Sequence, residues 1–116
     1  MRVLIIGNGG REAAIGRKLA EDRRISQIFF AKGNAATEQI GKNISLTDNQ
    51  DLVNFATKEA IDLTIVGPEA FLVSGIVDEF TKAGLNIFGP SKKVAKLEGS
   101  KAYSKKFMQD YGVKTA

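Results

Sequence analysis

The 116-residue chain contains no cysteine, no histidine and no tryptophan. The first absence excludes disulfides and thiolate chemistry. The second removes the commonest general base and the commonest metal ligand, so neither a His/Cys zinc site nor a Ser-His-Asp device can be assembled. Any catalysis falls to carboxylates, lysine, tyrosine, hydroxyls or backbone dipoles. No apolar run approaches the roughly 20 residues needed to cross a bilayer, and the N-terminus lacks the pattern of a secretory signal. The expectation is a cytoplasmic protein with no membrane partner. The formal net charge is +4, but the basic residues are scattered and form no aromatic-studded stripe, so nucleic acid is not an expected partner. Internal repeats, linkers and low-complexity segments are also missing.

What is present is an ordinary globular composition, 43% apolar and 26% charged, in a chain long enough to bury its own core. Apolar runs at residues 3–6, 26–31 and 62–66 read as strands, and shorter ones are predicted at 43–46 and 85–88. Helices are predicted over residues 13–21, near Glu38, after a cap at Thr47 or Asp48, and over 72–83 with Gly84 as the stop. Beyond Pro90 the pattern changes to a short helix over 91–97 and another over 101–111. Strand–helix alternation of this kind predicts an α/β fold, a Rossmann-like parallel sheet of about four or five strands with helices on both faces.

Ligands of such sheets bind beyond the carboxyl ends of the strands. Three punctuated turns fall there: Gly7-Asn8-Gly9-Gly10-Arg11, Lys32-Gly33-Asn34 and Gly67-Pro68-Glu69. In the first, backbone N–H donors, a helix N-terminal partial charge and Arg11 can converge on one anion, which points to a small phosphorylated molecule. As a dinucleotide fingerprint the turn fails twice. Glu12 stands where the third glycine belongs, and the second strand ends at Ala31-Lys32 without its acidic residue. It is not a Walker loop either. The glycines could also serve close strand–helix packing alone, a role for which Arg11 is superfluous. Glu69 reads either as an acceptor for ligand hydroxyls, such as a ribose diol, or as a carboxylate complementing a helix dipole. Asn34 sits in a Gly-Asn turn, where asparagine is common for local reasons. Lys101 reads as a polyphosphate ligand or as a solvated lysine.

The strings GNGGREAA, KGNAA, DLTIVGPEAFLVSGIVDEF, IFGPSK and LEGSKAYSKKFM, in this order and spacing, span nearly the whole chain. Together they resemble the N-terminal domain of the phosphoribosylamine–glycine ligases, or glycinamide ribonucleotide synthetases, of the ATP-grasp superfamily. The resemblance implies a Rossmann-like, pre-ATP-grasp domain. It also implies a carbon–nitrogen ligase that joins glycine to 5-phosphoribosylamine in de novo purine biosynthesis, with ATP and magnesium held by domains further along the chain. Carried onto matching positions, it makes Asn8, Gly9, Gly10 and Arg11 a substrate-contacting turn. Glu69, following Gly67 and Pro68, becomes a ribose-hydroxyl ligand, Asn34 a wall of the same pocket, and Lys101 a contact to nucleotide phosphates. It assigns no catalytic residue and no metal ligand to these 116 residues. Two departures stand out. Ala13 replaces the histidine the family usually carries after its Arg-Glu pair, and the chain stops at Ala116 where the family continues for roughly two to three further domains.

The expectation is therefore a substrate-binding domain over 1–90 and a helical segment over 91–116 that leads toward an ATP-grasp domain. It would bind a small ribose phosphate, hold no cofactor of its own and ligate nothing alone. Its expected partners are the remaining ligase domains, or a second copy through the exposed interdomain surface. The alternatives are a stand-alone ribose-phosphate-binding or dimerising module and, third, a dinucleotide-binding protein.

Overall fold

The computed structural model describes residues 1–67 and 75–89, together with Lys106 and Gln109. In chain order the elements are β1 (Arg2–Gly7), α1 (Gly10–Ala20), β2 (Gln27–Lys32), α2 (Ala35–Glu38), β3 (Lys42–Ile44), α3 (Asn49–Lys58), β4 (Leu63–Val66), α4 (Ile76–Lys82) and β5 (Ile87–Phe88). The strands form one five-stranded sheet in the order β3-β2-β1-β4-β5. Every neighbouring pair is parallel. The fold is the α/β arrangement that the alternation predicts.

The continuous apolar runs are explained by burial on both faces. Alternate residues of β1 point opposite ways, so Val3 and Ile5 join Ile28, Phe30, Leu63 and Ile65 under Ile15 and Leu19 of α1. Leu4 and Ile6 join Phe29, Ala31 and Val66 on the other face, under α3 (Leu52, Val53, Ala56) and α4 (Ile76, Phe80). At the amino edge, Arg2 closes the sheet. Its N–H donates to Asp62 Oδ2 at 2.8 Å, its guanidinium pairs with Glu59 at 2.8 Å, and it stands 5.3 Å from the Phe29 ring centroid.

Element boundaries differ from the sequence reading where backbone bonding overrides local pattern. Helix α1 begins at Gly10 rather than Ala13, because Gly9 is its cap, so Arg11 and Glu12 lie in its first turn. Strand β3 stops at Ile44, where its pairing with Ala31 ends. Strand β5 begins at Ile87 rather than Leu85. The Leu85 N–H is spent on Phe80 O (3.0 Å) and the Gly84 N–H on Thr81 O (3.0 Å), which closes α4 with Gly84 left-handed at φ 78°. The Asp48 cap is as read: its side chain accepts from the Gln50 and Asp51 N–H groups. The predicted helix over 91–97, the start of the one over 72–83 and the domain division at 90 lie outside the described residues, as does most of the helix over 101–111, within which Lys106 and Gln109 are helical and exposed. Among the described residues no helix is long and apolar enough to cross a membrane.

Helix α3 ends in the same way as α4, with Ile61 N–H on Ala56 O (2.9 Å) and Ala60 N–H on Thr57 O (3.3 Å). Here the left-handed residue is an alanine, Ala60 at φ 53°, the only non-glycine with positive φ among the described residues. Because an L-residue pays a steric cost in that region, Ala60→Gly is predicted to stabilise the fold by about 0.5–1 kcal/mol, read as a higher urea midpoint at unchanged m-value.

Candidate functional site

Strand register brings three carboxyl ends to one edge. Gly7 is level with Lys32 of β2, and Ile6 is level with Val66 of β4. Beyond the ladders, Gly33 N–H donates to Gly7 O (3.1 Å) and Gly67 N–H donates to Ile6 O (3.0 Å). Strands β2 and β3 lie to one side of β1, and β4 and β5 to the other. The order in which strands are added therefore switches sides at β1, and at the carboxyl edge such a switch is where doubly wound sheets open a ligand crevice.

The turn from β1 into α1 leaves the sheet at that edge. Gly9 caps the helix in extended backbone (φ −92°, ψ 173°) and supplies no side-chain acceptor. The first N–H groups of α1 therefore have no side-chain cap, as an anion or other acceptor requires. Asn8, Gly10 and Arg11 are exposed. Among the described residues a β-carbon at Gly10 would meet nothing within 4 Å.

Glu12 turns the other way and is fully buried. Its side chain lies beneath the turn, between the ends of β1 and β4. A β-carbon built on Gly7 would fall 2.6 Å from Glu12 Cδ, and one on Gly67 would fall 2.5 Å from the same atom. Neither strand end can carry a side chain while Glu12 occupies this space. The residue that breaks the dinucleotide fingerprint is thus accommodated by two glycines, one at the end of each flanking strand.

A second support comes from the side. The Oδ1 of Asn34 accepts from the Ala36 and Thr37 N–H groups (2.9 and 3.0 Å) and caps α2. The Nδ2 of Asn34 donates to the carbonyl of Asn8 at 2.8 Å, across 26 residues of sequence. Asn34 is itself held by Asn43 of β3, whose Nδ2 donates to Asn34 O (2.9 Å). The buried Thr37 hydroxyl accepts from the Asn34 N–H (2.7 Å) and stands 2.6 Å from Asn43 Oδ1. Hydrogen bonds thus run from β3 through the start of α2 to the glycine turn.

Of the residues singled out in the sequence, Asn8, Gly9, Gly10, Arg11, Asn34 and Gly67 meet at this edge. Pro68, Glu69 and Lys101 lie outside the described residues. Ala13, where the resemblance leads one to look for histidine, is buried on the inner side of α1. Sequence reasoning passed over Glu12, Thr37 and Asn43. For Glu12 a signal did exist: an acidic residue three places after a glycine cap, with glycines ending two predicted strands. For Asn43 there was none, since its contact depends on β2–β3 register. Among the described residues no three Asp or Glu side chains stand together to hold a metal ion, so no step is assigned to one here.

Residues 1–98 match the family described as phosphoribosylglycinamide synthetase, N domain. Proteins named phosphoribosylamine–glycine ligase are similar over the full chain. That of Fusobacterium nucleatum is 55% identical over 118 residues and that of Clostridium acetobutylicum 52% identical over 118 residues, each match covering 100% of this chain and 28% of the relative. The crystal structure of phosphoribosylamine–glycine ligase from Thermotoga maritima is 38% identical, with a TM-score of 0.50 over 97% of this chain and 25% of that one. The chain thus spans little more than a quarter of the length of the relatives it matches.

The packing of Glu12 generates a coupling test. Gly67→Ala is predicted to cost about 1–3 kcal/mol by overpacking, and the same change in a Glu12→Ala background to cost measurably less, by urea denaturation of all four proteins in the cycle.

Proposed function

The chain belongs to the phosphoribosylglycinamide synthetase N-domain family, and we propose from that premise that it forms the substrate-binding N-terminal part of a ligase joining glycine to 5-phosphoribosylamine in purine biosynthesis. The observation that carries the reading is the side-chain-free cap of α1 at the point where the strand order switches sides. Backbone N–H groups at the start of α1 would donate to the phosphate oxygens of a sugar phosphate. Gly9 and Gly10 let the ligand approach the main chain closely, and the exposed Arg11 offers a charge-assisted, two-pronged donor to an anionic oxygen. Glu69, directly beyond the end of β4, would accept hydrogen bonds from the ribose hydroxyls.

ATP and magnesium belong, on this reading, to the remaining domains of the ligase, where ATP activates the glycine carboxylate. Lys101 would meet the nucleotide phosphates where that region begins. On the same reading the 116 residues here bind and orient the ribosylamine substrate. Its water-soluble substrates favour a cytoplasmic location.

Two measurements test the reading. Titration calorimetry with ribose 5-phosphate is predicted to show binding that Arg11→Ala weakens by about tenfold or more, as loss of a charge-assisted hydrogen bond requires, and unchanged affinity removes Arg11 from the site. Glu69→Gln is predicted to weaken ribose 5-phosphate while leaving inorganic phosphate unaffected, and equal losses contradict the diol role. The chain incubated with ATP, magnesium and glycine is predicted to release phosphate no faster than buffer. Sustained release above that level would show a nucleotide site within these residues.

A further inference from the structure

The Asn34 side chain reaches the glycine turn from another element. Its oxygen is committed to two N–H groups of α2 and its nitrogen to the carbonyl of Asn8. The Asn8–Gly9 peptide is not among the cis bonds of the chain. In a trans peptide the carbonyl and the following N–H are rigidly coplanar and point in opposite directions. Drawing the Asn8 carbonyl toward Asn34 therefore turns the Gly9 N–H to the opposite side. Among the described residues nothing accepts from that N–H. Without such a tether the Asn8–Gly9 peptide would be held less firmly, since Gly9 carries no side chain to restrict it.

We propose that Asn34 is a positioning residue: by holding the carbonyl of Asn8 it aims the Gly9 N–H at the ligand, without itself touching the ligand. The inference rests on the ribose-phosphate reading of the edge, and it differs from the pocket-wall role that the family resemblance suggests for Asn34. The support is layered. Asn43 Nδ2 holds the Asn34 carbonyl at 2.9 Å, and Thr37 Oγ1 accepts the Asn34 N–H at 2.7 Å, so the tether is anchored to β3 and α2 rather than to a mobile side chain. The start of α2 and the aim of the glycine turn are thereby set by one amide.

The two duties of Asn34 can be separated. In the 116-residue chain, Asn34→Ser keeps a side-chain acceptor for α2 but is too short to reach Asn8. Asn34→Asp keeps the acceptor and places an oxygen, not a donor, against the Asn8 carbonyl. Both variants are expected to retain the amide NMR resonances of Ala36 and Thr37, which report the α2 cap. Both are expected to shift the Gly9 and Gly10 resonances and to lower their heteronuclear NOE. Affinity for ribose 5-phosphate is expected to fall about tenfold, the effect of one misdirected hydrogen bond. Gly9 and Gly10 resonances that stay in place in both variants overturn the positioning role, whatever the chain binds. Unchanged affinity in variants whose Gly9 signal has moved overturns it as well. Failure of the unsubstituted chain to bind ribose 5-phosphate counts instead against the ligand class, and the Gly9 signal distinguishes the two failures.

Discussion

Strand β1 pairs in parallel with β2 on one side and β4 on the other, and every functional feature depends on that double pairing. A central parallel strand is buried on both faces, so its residues are consumed by packing: Val3 and Ile5 against α1, Leu4 and Ile6 against α3 and α4. Nothing in the body of the sheet is left for a ligand. The carboxyl edge is different, because there the ladder ends and the chain must turn. Parallel pairing also requires every strand to end at that edge, so turns remote in sequence are brought side by side.

At the edge, polar side chains mainly build the turn rather than line an opening. Glu12 fills the space between two strand ends, and Gly7 and Gly67 are side-chain-free to admit it. A dinucleotide-binding turn uses its third glycine to bring helix and strand close. Here the relation is inverted: the helix carries the bulk and the strands give way. Asn34, Thr37 and Asn43 likewise spend their hydrogen-bonding groups on backbone and on each other. Asn8, Gly10 and Arg11 stand exposed at this edge. Such a site gains its rigidity from buried neighbours and its chemistry from peptide groups, which cannot be mis-rotated once their plane is held.

This division of labour suits the place of the chain among its relatives. The chain matches little more than a quarter of the length of relatives named phosphoribosylamine–glycine ligase.

Much of this was readable from residue order. The apolar runs around Ile5, Phe30 and Ile65 announce strands because nothing but burial on both faces tolerates them, and Asp48 and Gly84 mark helix ends through local bonds to residues close by. The glycine turn and Arg11 were conspicuous for the same local reason. What residue order did not reveal was the start of α1 at Gly10, the burial of Glu12 against Gly67 and the reach of Asn34 to Asn8. Ala60 in a left-handed position was equally unannounced, because alanine carries no mark of that conformation. The Glu12–Gly67 and Asn34–Asn8 contacts depend on which strands lie adjacent and in what register, since they join residues 55 and 26 positions apart. Periodicity reports only whether a segment can be buried; the partner that buries it is chosen when the sheet assembles, and that choice turned a mismatched glycine motif into a supported one.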